Sequence, residues 1–255
     1  MTSSLHIEID QRGVCTITLN RPERHNAFDA ELIDELLTAL QNISNNNEIR
    51  VVIITGAGES FSSGADLNWM RSMVDYDEAA NRQDAQQLSN LMRTLYALSK
   101  PTIARVNGSA FGGGIGLIAC CDIAIAASSA QFAFTEVRLG MAPAVISPYI
   151  LMSIGPRHAR RLFLTAERFG SHEALNFGLV HQVTEPDGLD EAIDKQVRHL
   201  LKAGPEAIKA CKSLIQNPAG EHELSNLIAH LRTSAEGQEG LKAFLEKRKP
   251  GWVKD

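Results

Sequence analysis

Short β-branched segments and helical stripes alternate along the first half of the chain. Val14 to Leu19, Val51 to Thr55 and Thr102 to Val106 read as strands, while Glu31 to Ile43 and Ala79 to Leu98 read as helices. After Asp29, an N-cap, the residues Leu32, Ile33, Leu36, Leu37, Leu40 and Ile43 form one apolar stripe, the mark of a helix that covers a sheet. Asp122 to Ala127 and Gln131 to Glu136 read as two more strands across the polar turn Ser128-Ser129, the second ending on an acid. From Ser147 onward the pattern is almost wholly helical. Leu189, Ile193, Val197, Leu200 and Leu201 share one stripe that Gly204-Pro205 ends. The pattern predicts an α/β chain with a C-terminal helical layer. It shows no internal repeat and no charge block, and Pro218-Ala219-Gly220 reads as a turn.

Composition narrows the class of protein. With 255 residues, 44% of them apolar, the chain can build one large core or a core with a small appended domain. A net charge of −5 with dispersed Lys and Arg points away from nucleic acid as a partner. The segment Met1 to Ile9 has no basic stretch followed by an apolar one, and no apolar run approaches the ~18 residues of a membrane span, so no membrane partner is expected. Three of the four cysteines, Cys15, Cys120 and Cys121, sit in apolar runs, as core residues do in a reducing cytosol. A cytoplasmic location is the expectation.

Most familiar catalytic signatures are absent. Gly56-Ala57-Gly58 follows a strand as a dinucleotide fingerprint would, but Phe61 stands where its third glycine belongs and no amphipathic helix begins there. Neither Ser62 nor Ser109 lies in a G-x-S-x-G context, and the eight histidines show no metal-ligand spacing. What stands out is Phe111-Gly112-Gly113-Gly114-Ile115-Gly116, between a strand and an apolar run. Glycine lets backbone come close to a ligand, and a helix opening here would present unpaired, partly positive N–H groups to an anion. A second turn, Ser62-Ser63-Gly64-Ala65-Asp66-Leu67, follows an earlier strand. Two such turns together would make a two-donor oxyanion hole, worth roughly 3 to 4 kcal/mol per donor. Taken singly, the glycines could instead serve tight helix packing, and the Ser62 to Leu67 segment could be an ordinary turn with Asp66 capping the next helix.

Several segments occur together, in order, from about Ile7 to Trp252. They are Leu19-Asn20-Arg21-Pro22, Asn26-Ala27, Phe61 to Leu67, Gly112-Gly113-Gly114, Cys121-Asp122-Ile123 and Phe244 to Lys249. The set closely resembles the crotonase (enoyl-CoA hydratase/isomerase) superfamily. The resemblance implies an α/β fold built as a spiral of β-β-α turns, with a spiral core over residues 1–195 and a C-terminal helical trimerisation region over 196–255. It implies a homotrimer or a dimer of trimers, and an acyl-CoA thioester as substrate, with no cofactor beyond the coenzyme A that the substrate carries. The N–H groups of Ala65 and Gly113 would hold the thioester carbonyl oxygen. Arg24 and the turn Ser63, Ala65, Asp66 and Leu67 would line the coenzyme A nucleotide, and Lys247 would reach the phosphates of coenzyme A bound to a neighbouring subunit.

The sequence also departs from that pattern. Typical hydratases carry two glutamates, and the second is present as Glu136, but the first position holds Gly116. Glycine inside a helix costs roughly 1 kcal/mol relative to alanine, so the vacated space has a use. A bulkier acyl group fills it, or an acid from elsewhere reaches in, or Glu136 acts alone. The first and last readings stand ahead, because Asp75, Asp77 and Glu78 cannot be placed from the sequence. Leu67-Asn68-Trp69-Met70 and Gly140 to Tyr149 resemble the bacterial branch that hydrates branched enoyl-CoAs such as methylglutaconyl-CoA in leucine breakdown, with Arg138 a candidate cation for a carboxylated acyl chain. The expected activity is hydration of an enoyl-CoA. The alternatives are a Δ3-Δ2 enoyl-CoA isomerase with Glu136 as single proton shuttle, and a non-catalytic acyl-CoA-binding protein.

Overall fold

The computed structural model describes residues 3–217 and 221–253; the turn read at Pro218-Ala219-Gly220 lies outside the described residues. Its strands are β1 (Leu5–Ile9), β2 (Val14–Leu19), β3 (Val51–Gly56), β4 (Ser60–Ser62), β5 (Thr102–Val106), β6 (Ser109–Phe111), β7 (Ile123–Ala127), β8 (Gln131–Ala133), β9 (Phe169–Gly170) and β10 (Gln182–Thr184). One sheet has the order β1-β2-β3-β5-β7-β10 and a second has the order β4-β6-β8-β9. Pairing is parallel except at β1 with β2 and β8 with β9.

After β2 comes α1 (Ala30–Asn45), and from there the chain winds as a spiral. In each turn a strand of the first sheet is followed by one of the second and then by helix. β3 and β4 lead to α2 (Leu67–Val74) and α3 (Glu78–Tyr96); β5 and β6 lead to α4 (Gly113–Cys120); β7 and β8 lead to α5 (Ser147–Thr165). Asp29 caps α1 by accepting from the N–H of Leu32, and the stripe from Leu32 to Ile43 is buried. Burial of each such side chain contributes about 1.5–3 kcal/mol.

All six residues of β3 are buried, as a parallel strand covered on both faces requires. Val51 and Ile53 pack with Val14, Ile103 and Ile125 beneath Leu189, Ile193 and Val197 of the long helix Leu189–Lys202. Val52 and Ile54 face the other way, into the larger cluster with Ile17 and the α1 stripe. Counting α6 (Ser171–Phe177), the helix over the sheet is α7. Residues 195 and 196, the boundary read from the sequence, lie inside α7 without a break. Its packing ties α7 to the spiral, so by contacts the C-terminal helices begin with α8 (Pro205–Gln216) and continue through α9 (Glu221–Thr233) and α10 (Ala235–Leu245).

Two further differences from the sequence reading concern strands. The strand expected to run to Glu136 stops at Ala133, whose carbonyl accepts the last rung, from Gly112 N–H at 3.2 Å. Glu136 instead opens a 3-10 turn, Glu136–Leu139, closed by Gly140 at φ 72°. The region after Ser147 also contains β9 and β10, of two and three residues, too short to leave a periodic signal.

Candidate active site

β4, β6 and β8 are adjacent and parallel, so the segments that leave their carboxyl ends converge. Those segments are the turn Ser63 to Asp66, the glycine run from Gly112 and the turn that begins at Glu136. In open parallel sheets this crevice is where ligands are bound. The spiral thus brings together three sites that are far apart in sequence.

Phe28 fixes the first turn. Its N–H donates to the Gly64 carbonyl at 2.6 Å and its carbonyl accepts from Asp66 N–H at 2.7 Å. Successive residues of extended backbone bond to opposite sides, so Ala65, between these two, turns its N–H away from Phe28 and onto the exposed side. Gly64 sits at φ +87°, where a Cβ would stand 3.0 Å from the Phe111 carbonyl oxygen. The first turn therefore rests directly on the glycine run.

Gly112 has φ +48° and spends its N–H on Ala133. Gly113 is the first residue of α4, where an N–H has no carbonyl one turn earlier and carries the positive end of the helix dipole. The Phe28 ring lies underneath, 3.3 Å from where a Gly113 Cβ would be. One residue, Phe28, thereby positions both expected donors, through its backbone for Ala65 and its ring for Gly113.

Glu136 completes the cluster. A Cβ on Gly112 would stand 3.2 Å from Glu136 Oε1, so the carboxyl lies close against the head of α4, and a side chain at this φ of +48° would press on it. Oε2 is buried with no hydrogen-bond partner among the described residues. Burial pushes the Glu136 carboxyl above the ordinary glutamate value, and a hydrogen bond from its own backbone N–H offsets only part of that. A desolvated carboxyl with one oxygen left without a partner among the described residues is suited to exchanging protons.

Gly116 does not line an open space. A Cβ there would fall 2.3 Å from Ile146 Cγ2 and 3.1 Å from Met92 Cε. Ile146 and Met92 are themselves fully buried. The expectation that a bulkier acyl group uses this space is therefore corrected, because two protein side chains already fill it. Ile146 comes from the Gly140 to Tyr149 segment, so the unusual loop and the missing glutamate are one packing feature. Arg138, in the 3-10 turn that Glu136 opens, is exposed and donates from Nη2 to the Ala166 carbonyl at 2.8 Å.

A cavity of about 400 Å³ opens beside Ala65, lined by Arg24, Ser63, Asp66, Leu67 and Arg71 among others. Asp66 is its organising acid. Its carboxyl caps α2 by accepting from the N–H groups of Asn68 and Trp69, and pairs with Arg24 at 3.2 Å and Arg21 at 3.5 Å. Burial pushes Asp66 up, but those N–H groups and the Arg24 guanidinium outweigh it, so the carboxyl lies below its ordinary value. Lys247 does not line this cavity; it is exposed, at φ 55° just past α10. Among the described residues no cluster of three or more His, Cys, Asp or Glu is arranged to hold a metal.

Four residues that support this geometry escape a reading of the sequence. Arg21 is buried and bridges Asp29 and Asp66, whereas the sequence shows it only as a member of the Leu19-Asn20-Arg21-Pro22 segment, with no role attached. Phe28, Met92 and Ile146 look like any core residue, and only their contacts single them out.

A family model described as enoyl-CoA hydratase/isomerase matches residues 9–255. The chain belongs to the enoyl-CoA hydratase/isomerase family. Among curated relatives, a short-chain-enoyl-CoA hydratase of Clostridium acetobutylicum is 34% identical over 96% of each chain. A trans-2-decenoyl-[acyl-carrier-protein] isomerase of Streptococcus mutans is 30% identical over 93% of this chain and 94% of its own. A crystal structure titled putative enoyl CoA hydratase/isomerase (crotonase), from Legionella pneumophila, superposes with a TM-score of 0.93 at 45% identity, over 99% of this chain and 100% of that one. The crotonase fold of the family is thus the fold of this chain. Among the described residues no helix is long and apolar enough to cross a membrane.

Proposed function

We propose that this family member is an enoyl-CoA hydratase-like lyase that works with one carboxylate. The observation that supports the reading best is Glu136, desolvated against Gly112 with Oε2 left without a partner among the described residues, next to the head of the helix that Gly113 opens. The N–H groups of Ala65 and Gly113 hold the thioester oxygen. Glu136 takes a proton from water as the water oxygen attacks the β-carbon, and the double-bond electrons move onto the thioester oxygen as an enolate. The enolate then collapses and the α-carbon takes the proton back from Glu136. The donors act where negative charge grows, which is how they lower the barrier. Relatives named as hydratases support the same reading.

A specific observation favours the isomerase as the second reading. Ile146 and Met92 close the place of a second acid, and a lone carboxylate suffices to move a proton between α- and γ-carbons. Incubation with crotonyl-CoA and with methylglutaconyl-CoA in ¹⁸O-labelled water separates the two. The expected result is a 3-hydroxyacyl product carrying the label from at least one substrate. Migration of a double bond without label selects the isomerase, and binding without turnover of either substrate or of a 3-enoyl-CoA selects a silent binding protein.

The cavity beside Ala65 is assigned to the coenzyme A nucleotide, with Arg24, Ser63, Asp66 and Leu67 on its walls. Arg24→Glu puts a carboxylate beside Asp66 and opposes the phosphates. Its expected effect is a rise of about tenfold or more in KM, roughly 1.4 kcal/mol, with kcat nearly unchanged. An unchanged KM removes Arg24 from the site. The homotrimer is likewise a proposal, supported by the exposure of Leu241, Phe244 and Leu245 on α10, close to Lys247.

A further inference from the structure

α2 supplies Leu67, Asn68 and Arg71 to the wall of the cavity beside Ala65, and its N-cap, Asp66, lines the cavity as well. The spacing of those three residues puts them on one face of the helix. Trp69 and Met73 stand on the nearly opposite face, Trp69 buried and Met73 half-buried against the core. One face of α2 is therefore cavity wall, and the other must stay docked to keep it there.

With eight residues, α2 is too short to hold helical form in water by itself, so its anchors decide where it lies. At its head the Asp66 carboxyl accepts from the N–H groups of Asn68 and Trp69. On its flank the Trp69 indole N–H donates to Asp84 Oδ1, on α3, at 3.0 Å. Leu67 and Val74, at its two ends, are exposed.

Asp84 stands where the helix pattern calls for an apolar residue. Asp84, Leu88, Leu91, Met92 and Leu95 follow helical spacing, and the last three are buried while Leu88 packs against the core. Asp84 itself is half-buried. Burial pushes its carboxyl above the ordinary aspartate value, and the Trp69 indole offsets only part of that. The cost of an acid at this position needs a return, and capping is not it, because Asp77 already caps α3. The bond to Trp69 is the return that the geometry offers.

We propose that Asp84 is a positioning residue for coenzyme A: by holding the Trp69 indole it keeps α2 docked, and with it the cavity wall at Leu67, Asn68 and Arg71. This rests on the assignment of that cavity to the coenzyme A nucleotide.

Calorimetry with coenzyme A itself tests the proposal without requiring turnover, and amide hydrogen exchange reads the docking of α2. Asp84→Leu removes the acceptor, Asp84→Asn keeps one, and Trp69→Phe keeps a ring but drops the donor. Asp84→Leu is expected to weaken coenzyme A binding about fivefold or more, in proportion to the lost fraction of docked molecules. It should speed exchange in α2 while leaving α1 and α4 as they are. Asp84→Asn should restore both, and Asp84→Leu placed on Trp69→Phe should add nothing further. Should Asp84→Leu fail to fold, Trp69→Phe alone carries the same expected losses. The proposal is overturned if the variant without the bond binds coenzyme A as the parent does, if exchange in α2 is unchanged, if Asp84→Asn is as impaired as Asp84→Leu, or if the full effect persists on Trp69→Phe. Arg24→Glu with Arg71→Glu separates this from the reading beneath it. If that double reversal leaves binding unchanged, coenzyme A lies outside the cavity and both fall; if it weakens binding and loss of the Asp84–Trp69 bond does not, this proposal alone falls.

Discussion

Glu136→Gln is expected to cut kcat on the best enoyl-CoA substrate by about 10²- to 10⁴-fold, the usual worth of a positioned acid–base group. It is also expected to raise the unfolding temperature at pH 8. The two effects share a cause. In the folded chain Oε2 is buried without a partner among the described residues, and burial holds the Glu136 carboxyl above its ordinary value. A carboxyl with a raised folded pKa binds more protons folded than unfolded across the interval between the two values, so its ionisation costs stability as pH rises through that interval. Below the interval the group is protonated in both states and the cost vanishes. The advantage of Glu136→Gln should therefore be present at pH 8 and shrink toward pH 4, which thermal unfolding at the two pH values would show. An equal advantage at both would mean that the burial of charge is not its cause. Activity of the parent should rise with pH along a limb set above the ordinary glutamate range, because the carboxylate is the working form.

Gly116→Glu, which writes in the carboxylate usual for hydratases, is expected to destabilise the protein and to bring no gain in hydration. A Cβ alone would collide with Ile146 and touch Met92, before the rest of the side chain is placed. Overpacking costs about 1–3 kcal/mol, and an unpaired carboxylate among buried apolar groups adds to that. At about 2–4 °C per kcal/mol for a chain of this size, a cost of 3 kcal/mol lowers the unfolding temperature by roughly 6–12 °C. Ile146→Ala alone should cost about 2–5 kcal/mol through the cavity it leaves. Combined, the two changes should cost clearly less than their sum, since each relieves the other. Strict additivity in a double-mutant cycle of unfolding free energies would refute the claim that Ile146 fills the place of the missing acid.

The long elements were legible because their burial is periodic. The α1 stripe, β2, β3 and β5 each bury a face that the sequence displays, and Asp29 caps where its position suggested. β4, β6 and β8 have three residues each and were hidden or misdrawn, since no period fits into three residues. These are the strands that deliver the candidate site. Ala65, Gly113 and Glu136 were nonetheless singled out, through motif resemblance and the chemistry of glycine turns. Phe28, which holds two of them in place, was not, because a buried phenylalanine has the same local signature whatever it supports.

By itself, the sequence determined the α/β class, the family and the chemical inventory of the site: bare backbone donors, one carboxylate and a glycine where a second acid was expected. Those follow from local facts, namely the spacing of apolar residues, the conformational freedom of glycine and the identity of one side chain. Only the tertiary structure decided that Glu136 lies against Gly112 and that Ile146 and Met92 occupy the space at Gly116. Each of these is a contact between segments far apart in the chain. Such contacts are set by the winding of the spiral and the filling of its core, which no stretch of sequence encodes alone.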